Sequence, residues 1–203
     1  MIKTSRFDNY FDHIAILSLA VYLFCMQMRE SAFFDITLIS YIIKFLIRLT
    51  FLAIILKNVY DFFRGKFSVK EIIIYLVFGI YFLIIYLRFR QANFLLILLY
   101  ISALKNVSYE KTIKWSFYAM VICFFIIVIS SFTGYLNEYT KVEIRHGVSM
   151  IRRHLGYYFS CALNYFMSIT FMYLLYKRKL SVFDNILLTL SFFAAIILLS
   201  DDK

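Results

Sequence analysis

The chain has 203 residues, of which 63% are hydrophobic and 21% aromatic, and it carries a net charge of +10. A soluble domain holds about 45–50% apolar residues, so this composition excludes an ordinary water-soluble globule. The basic residues fall mostly in short breaks between apolar runs, which argues against nucleic acid and for membrane topology and lipid headgroups.

The expected fold class is all-α, a multi-pass integral membrane helical bundle of about seven spans in a single membrane domain, 1–203. The first span is expected over 11–28. It has the charge order of a signal peptide, but Asp12 and His13 stand at its start and no small-x-small site precedes Arg29, so it reads as uncleaved. Asp12 and His13 read as headgroup-level residues, with a proton-handling pair as the alternative. The second span, 36–56, holds Lys44 and Arg48 near its middle, four apart on one helix face. Each charge at mid-bilayer costs on the order of 3 kcal/mol. Two readings stand: a cationic stripe facing an anionic ligand inside the bundle, or an interfacial helix whose two side chains snorkel.

Lys57 to Glu71 reads as a basic, solvated break with Gly65 as its bend. Spans follow over 70–87 and 90–104. The second of these is weak, because its unbroken apolar run, Phe94 to Ile101, falls well short of the roughly 20 residues a crossing needs. Spans over 115–133, 157–176 and 182–199 complete the seven. Cys25, Cys123 and Cys161 lie inside apolar segments without ligand spacing, so no metal or cofactor is expected.

Placing the N-terminus in the cytoplasm puts about twelve Lys and Arg in inner segments and about eight in outer ones. That orientation leaves 134–156 as an outer loop, where Lys and Arg should be few. This loop nevertheless carries Lys141, Arg145, Arg152 and Arg153, with His146 and His154 among them. Arg145 and Arg152 are seven apart, so a helical loop would stack them on one face. Guanidinium forks suit phosphate oxygens. The plainer alternative is a solvated loop in which Glu138 and Glu143 serve as counter-charges.

Arg145, followed by Arg152-Arg153-His154-Leu155-Gly156-Tyr157, resembles the outer-loop arginine and the Arg-x-Ser-Leu-Gly-Phe motif of Wzy-type polysaccharide polymerases and the related O-antigen ligases. The flanks are similar too: LLYISALKNVSY at Leu98–Tyr109, then a span, the loop, a span and a short basic turn. His154 stands where that family has Ser, and Phe159-Ser160-Cys161 where it has His-Pro-Asn. The resemblance implies a shortened N-terminal portion of such a protein, in the cytoplasmic (inner) membrane. It implies glycosyl transfer that polymerises polyprenyl-diphosphate-linked oligosaccharide repeat units into capsule, exopolysaccharide or O-antigen.

On that resemblance Arg145, Arg152 and Arg153 hold the diphosphate, and His154 or His146 is the base for the acceptor hydroxyl. The implied partners are the lipid-linked oligosaccharide, membrane lipids and other polysaccharide-assembly proteins. Two alternatives remain open: a non-catalytic remnant or scaffold, and a transporter for an anionic lipid-linked substrate along Lys44 and Arg48.

Overall fold

A computed structural model of the chain describes residues 6–89, 93–136, 140–145, 148–153, 155–158, 161–177 and 179–199. It is helical apart from one two-stranded ribbon. The elements are α1 (Arg6–Arg29), a single 3-10 turn (Ala32–Asp35), α2 (Thr37–Phe63), α3 (Val69–Phe89), α4 (Asn93–Leu104), α5 (Tyr109–Phe132), β1 (Thr140–Arg145), β2 (Val148–Arg153), α6 (Cys161–Tyr176) and α7 (Val182–Leu199).

Four helices, α1, α2, α3 and α5, are long and apolar enough to cross a membrane. At 1.5 Å per residue the shortest of them reaches about 31 Å, against a hydrocarbon core about 30 Å thick. α4 has 12 residues and α6 has 16, about 18 and 24 Å, so each is shorter than a full crossing. α3 carries the most direct sign of an apolar solvent. None of its 21 residues is buried, and Ile73, Leu76, Val77, Ile80 and Ile84 are all more than half exposed. In water such a surface would drive aggregation; against hydrocarbon it carries no penalty.

Two compact units divide the chain: Met1–Tyr22 with Leu46–Thr112, and Leu23–Phe45 with Ile113–Lys203. In the first unit, Ala15, Ile54, Leu96, Tyr100 and Ala103 form a buried cluster, flanked by Leu19, Phe51 and Leu99. Alanine at 15 and 103 removes side-chain bulk, which lets the helix backbones approach closely. Polar side chains then fix the pairing. Asn58 Nδ2 donates to the Leu99 carbonyl (3.0 Å) and Ser102 Oγ to Asn58 Oδ1 (2.6 Å), tying α2 to α4. Tyr100 Oη donates to the Ser18 carbonyl (3.2 Å), tying α4 to α1.

Helix ends differ from the expected ones for local reasons. α2 does not stop at Leu56 but continues to Phe63, because Lys57 and Asp61 are buried and paired instead of solvated. It ends in a Schellman cap: Gly65 takes φ +66°, its N–H donates to Phe62 and that of Lys66 to Asp61. α3 then starts on a capping box, with the Ser68 N–H donating to Glu71 Oε2 (2.9 Å) and the Glu71 N–H returning to Ser68 Oγ. Ser181 and Asp184 repeat that device at α7. α6 begins at Cys161 rather than 157, for a reason that belongs to the site.

Candidate functional site

The loop expected to carry the arginines is a β-ribbon, not a helix. β1 and β2 are antiparallel, with Thr140 opposite Arg153, Lys141 opposite Arg152 and Arg145 opposite Val148. Two strands alternate in phase every second residue. Positions 141, 145 and 152 therefore fall in one phase of the ribbon, and 153 falls in the other. Arg145 and Arg152 remain in phase as expected, but through strand register and not through helical stacking. Four residues separate 152 from 148, the partner of 145, so the two arginine positions lie about 13 Å apart along the ribbon. Both histidines proposed as bases, His146 and His154, lie outside the described residues.

The ribbon leads into a turn built into the second unit. Leu155 and Gly156 both take left-handed φ, +47° and +78°. A side chain at 156 would meet Ile127 Cγ2 at 3.1 Å, the Ile127 carbonyl oxygen at 3.2 Å and Ser131 Cβ at 3.2 Å, so only glycine fits against α5. The Gly156 carbonyl accepts from the Ala32 N–H (2.8 Å), and the Tyr158 N–H donates to the Glu30 carbonyl (2.9 Å). Between them Tyr157 bridges Ser31 as an isolated antiparallel pair.

The Tyr157 side chain is 0% exposed and stacks on Tyr165 with ring centroids 5.4 Å apart. Gln27 Nε2 donates to its hydroxyl at 2.6 Å. Tyr158 Oη donates to Asp35 (2.6 Å). These bonds hold the non-helical turn 155–158 against the end of α1, which is why the sixth helix cannot start at 157. The Leu-Gly-Tyr part of the motif is thus a structural anchor, and the arginine part sits on the strand just before it.

The second-span cations do not turn inward. Lys44 and Arg48 are both exposed on α2. The Lys44 ammonium lies 5.2 Å from the Phe34 ring centroid and 5.8 Å from that of Tyr41, a cation–π seat that suits a side chain at the interface. This favours snorkelling over an internal stripe.

A charged centre that sequence reading missed lies in the first unit. The Lys57 ammonium is fully buried and sits 2.8 Å from Asp12 Oδ1, 2.9 Å from Asp61 Oδ1 and 2.7 Å from Asp61 Oδ2. Lys66 Nζ lies 3.0 Å from both Asp8 and Asp61. Tyr60 Oη donates to Asp8 (3.2 Å) and accepts from Arg64 Nε (3.1 Å). Three carboxylates thus face Lys57, Lys66 and the nearby Arg64, so the centre is close to neutral. Burial by itself lowers the Lys66 pKa, but its bonds to Asp8 and Asp61 outweigh that and hold it above the ordinary lysine value.

The basic break expected to be solvated is therefore partly an internal ion network. Asp12 pairs with Lys57, while His13 Nδ1 donates to the Asn9 carbonyl (2.6 Å), so Asp12 and His13 do not form a proton-handling pair. The signal was present in the spacing: Asp8 and Asp12, like Lys57 and Asp61, are four apart on a helix. Among the described residues no His, Cys, Asp and Glu cluster could hold a metal. No family model, no curated protein and no solved structure matches this chain.

Proposed function

We propose that this chain is a multi-pass protein of the cytoplasmic membrane whose ribbon lies beyond the outer leaflet and holds the diphosphate of a polyprenyl-linked oligosaccharide. The reaction is glycosyl transfer that extends a surface polysaccharide. An acceptor sugar hydroxyl attacks the anomeric carbon of the donor, the bond from that carbon to the diphosphate oxygen breaks, and the lipid diphosphate leaves. Negative charge grows on the departing diphosphate, so cations fixed around it lower the barrier. Arg145 and Arg152, in phase with Lys141, form that cationic row, with Arg153 on the opposite phase as an accessory. His154 or His146 takes the hydroxyl proton.

One observation carries the reading. Within Arg152–Tyr157 the half that resembles a polymerase motif in Leu-Gly-Tyr is locked into the protein, and Arg152 and Arg153 end the strand that precedes it. A rigid base beneath a cationic strand is what pre-organised binding of a diphosphate needs. Purified protein should bind a polyprenyl diphosphate more tightly than the matching monophosphate. Arg152→Ala should abolish that difference and shorten or abolish polymer in cells. Equal binding of the two lipids by the unaltered chain would end the proposal.

A non-catalytic component of a glycan-assembly complex is the second reading. It is favoured by the exposed apolar face of α3, carried by Ile73, Leu76, Val77, Ile80 and Ile84, which another membrane protein can cover. It predicts that deletion of the chain impairs polymer while Arg145→Ala and Arg152→Ala do not.

A further inference from the structure

The first unit contains a groove of about 640 Å³ between α2, α3 and α4. Its walls are hydrocarbon: Phe62 and Phe63 from α2, Tyr75 from α3, and Leu95 and Leu98 from α4. Among the described residues, its polar lining groups are the Tyr75 hydroxyl, Asn58 and Ser102, and the last two are bonded to each other and to backbone carbonyls. Gly79 forms part of the wall, and a side chain added there would meet nothing within 4 Å. The volume falls in the range of built ligand pockets, about 300–1,000 Å³. An open groove of this size accommodates a lipid acyl chain.

One end of the groove is basic. Phe67 lines it, and the Lys105 ammonium lies 5.6 Å from the Phe67 ring centroid. Lys105 pairs with Glu71, but both side chains are about 30% exposed, and an exposed pair contributes only about 0–1 kcal/mol. Lys105 also donates to the Lys66 carbonyl (3.4 Å), and its partly exposed ammonium is open to a phosphate in place of that carboxylate. Lys70, beside Glu71 at the start of α3, is exposed. An apolar slot with lysines at one end complements a molecule with a hydrocarbon body and an anionic head. Basic pockets between transmembrane helices on the cytoplasmic side hold such lipids.

We infer that this groove binds one anionic glycerophospholipid of the cytoplasmic leaflet, its acyl chain against Tyr75 and Gly79 and its phosphate at Lys105 and Lys70. The inference rests on the membrane part of the functional reading and not on the diphosphate ribbon. The sole tryptophan, Trp115, can be changed to Phe and a reporter introduced as Tyr75→Trp. The purified full chain is then placed in phosphatidylcholine vesicles with rising fractions of brominated phosphatidylglycerol or brominated phosphatidylcholine, and quenching is read.

Phosphatidylglycerol should quench at a several-fold lower fraction. Lys70→Gln and Lys105→Gln should each weaken that preference about fivefold. Gly79→Phe should remove it by filling the slot, while Gly79→Ala, which adds only a methyl group to an open helix position, should keep it. Arg152→Ala should leave it unchanged, which separates this site from the ribbon. Equal quenching by the two lipids would overturn the inference, as would a preference that survives both lysine changes. So would displacement of phosphatidylglycerol by equimolar polyprenyl phosphate.

Discussion

Gly156 makes the sharpest demand on residue identity. Its φ of +78° and the 3.1–3.2 Å distances from a notional Cβ to Ile127 and Ser131 act together. Gly156→Ala should therefore destabilise the protein by about 1–3 kcal/mol, read as a lower unfolding midpoint in detergent. Tyr157→Phe removes the acceptor of the Gln27 amide at a fully buried position, a loss of about 1–3 kcal/mol. Adding Gln27→Leu to that change should restore much of the loss, because both halves of the bond are then apolar.

Lys57 behaves differently: Lys57→Met strands Asp12 and Asp61 without their cation and should cost about 3–5 kcal/mol. The pH behaviour of the same network follows from Lys66. Its pKa is raised above 10.5, so its contribution is complete below that value and disappears only as pH rises through the higher one. Stability should not depend on Lys66 titration near neutrality. In alkaline unfolding curves, Lys66→Gln should flatten the decline above about pH 10.5.

At the scale of elements, apolar runs located every helix, and polar residues misplaced the ends. Lys57 and Asp61 looked like a break because a lone charge ends a span. Paired across helices, the same charges allow α2 to continue to Phe63. No local pattern reveals that Asp12, 45 positions earlier, is the partner. The ribbon, by contrast, was legible. Lys141–Arg145 alternates polar and apolar, and Val148–Arg153 begins to; the two flank a His-Gly pair, a hairpin pattern that the helical spacing of Arg145 and Arg152 obscured. Leu-Gly-Tyr was read as part of a binding motif because sequence cannot show that Tyr157 is buried against Gln27. If the ribbon is a strand pair, Val142→Pro, whose ring fixes φ at about −65° where an antiparallel strand needs about −140°, should disrupt it and reduce diphosphate binding as strongly as Arg152→Ala does.

For the whole molecule the decisive quantity is parity. Four helices are long enough to cross; with the N-terminus inside, α4 decides which side the ribbon faces, and α6 decides whether the segment after it returns to the other side. The excess of Lys and Arg in inner segments requires α4 to count as a crossing, which its 12 residues achieve only with neighbouring residues or a locally thin bilayer. Ser149 in β2 and Ser181 before α7 fall on opposite sides when α6, with its neighbouring residues, also crosses. The most direct test is labelling of single cysteines, Ser149→Cys or Ser181→Cys with the three native cysteines replaced, by a membrane-impermeant thiol reagent on intact cells. Position 149 should label on intact cells and 181 only after the membrane is opened. Protection of 149 until the membrane is opened would put the arginine ribbon in the cytoplasm and contradict the account.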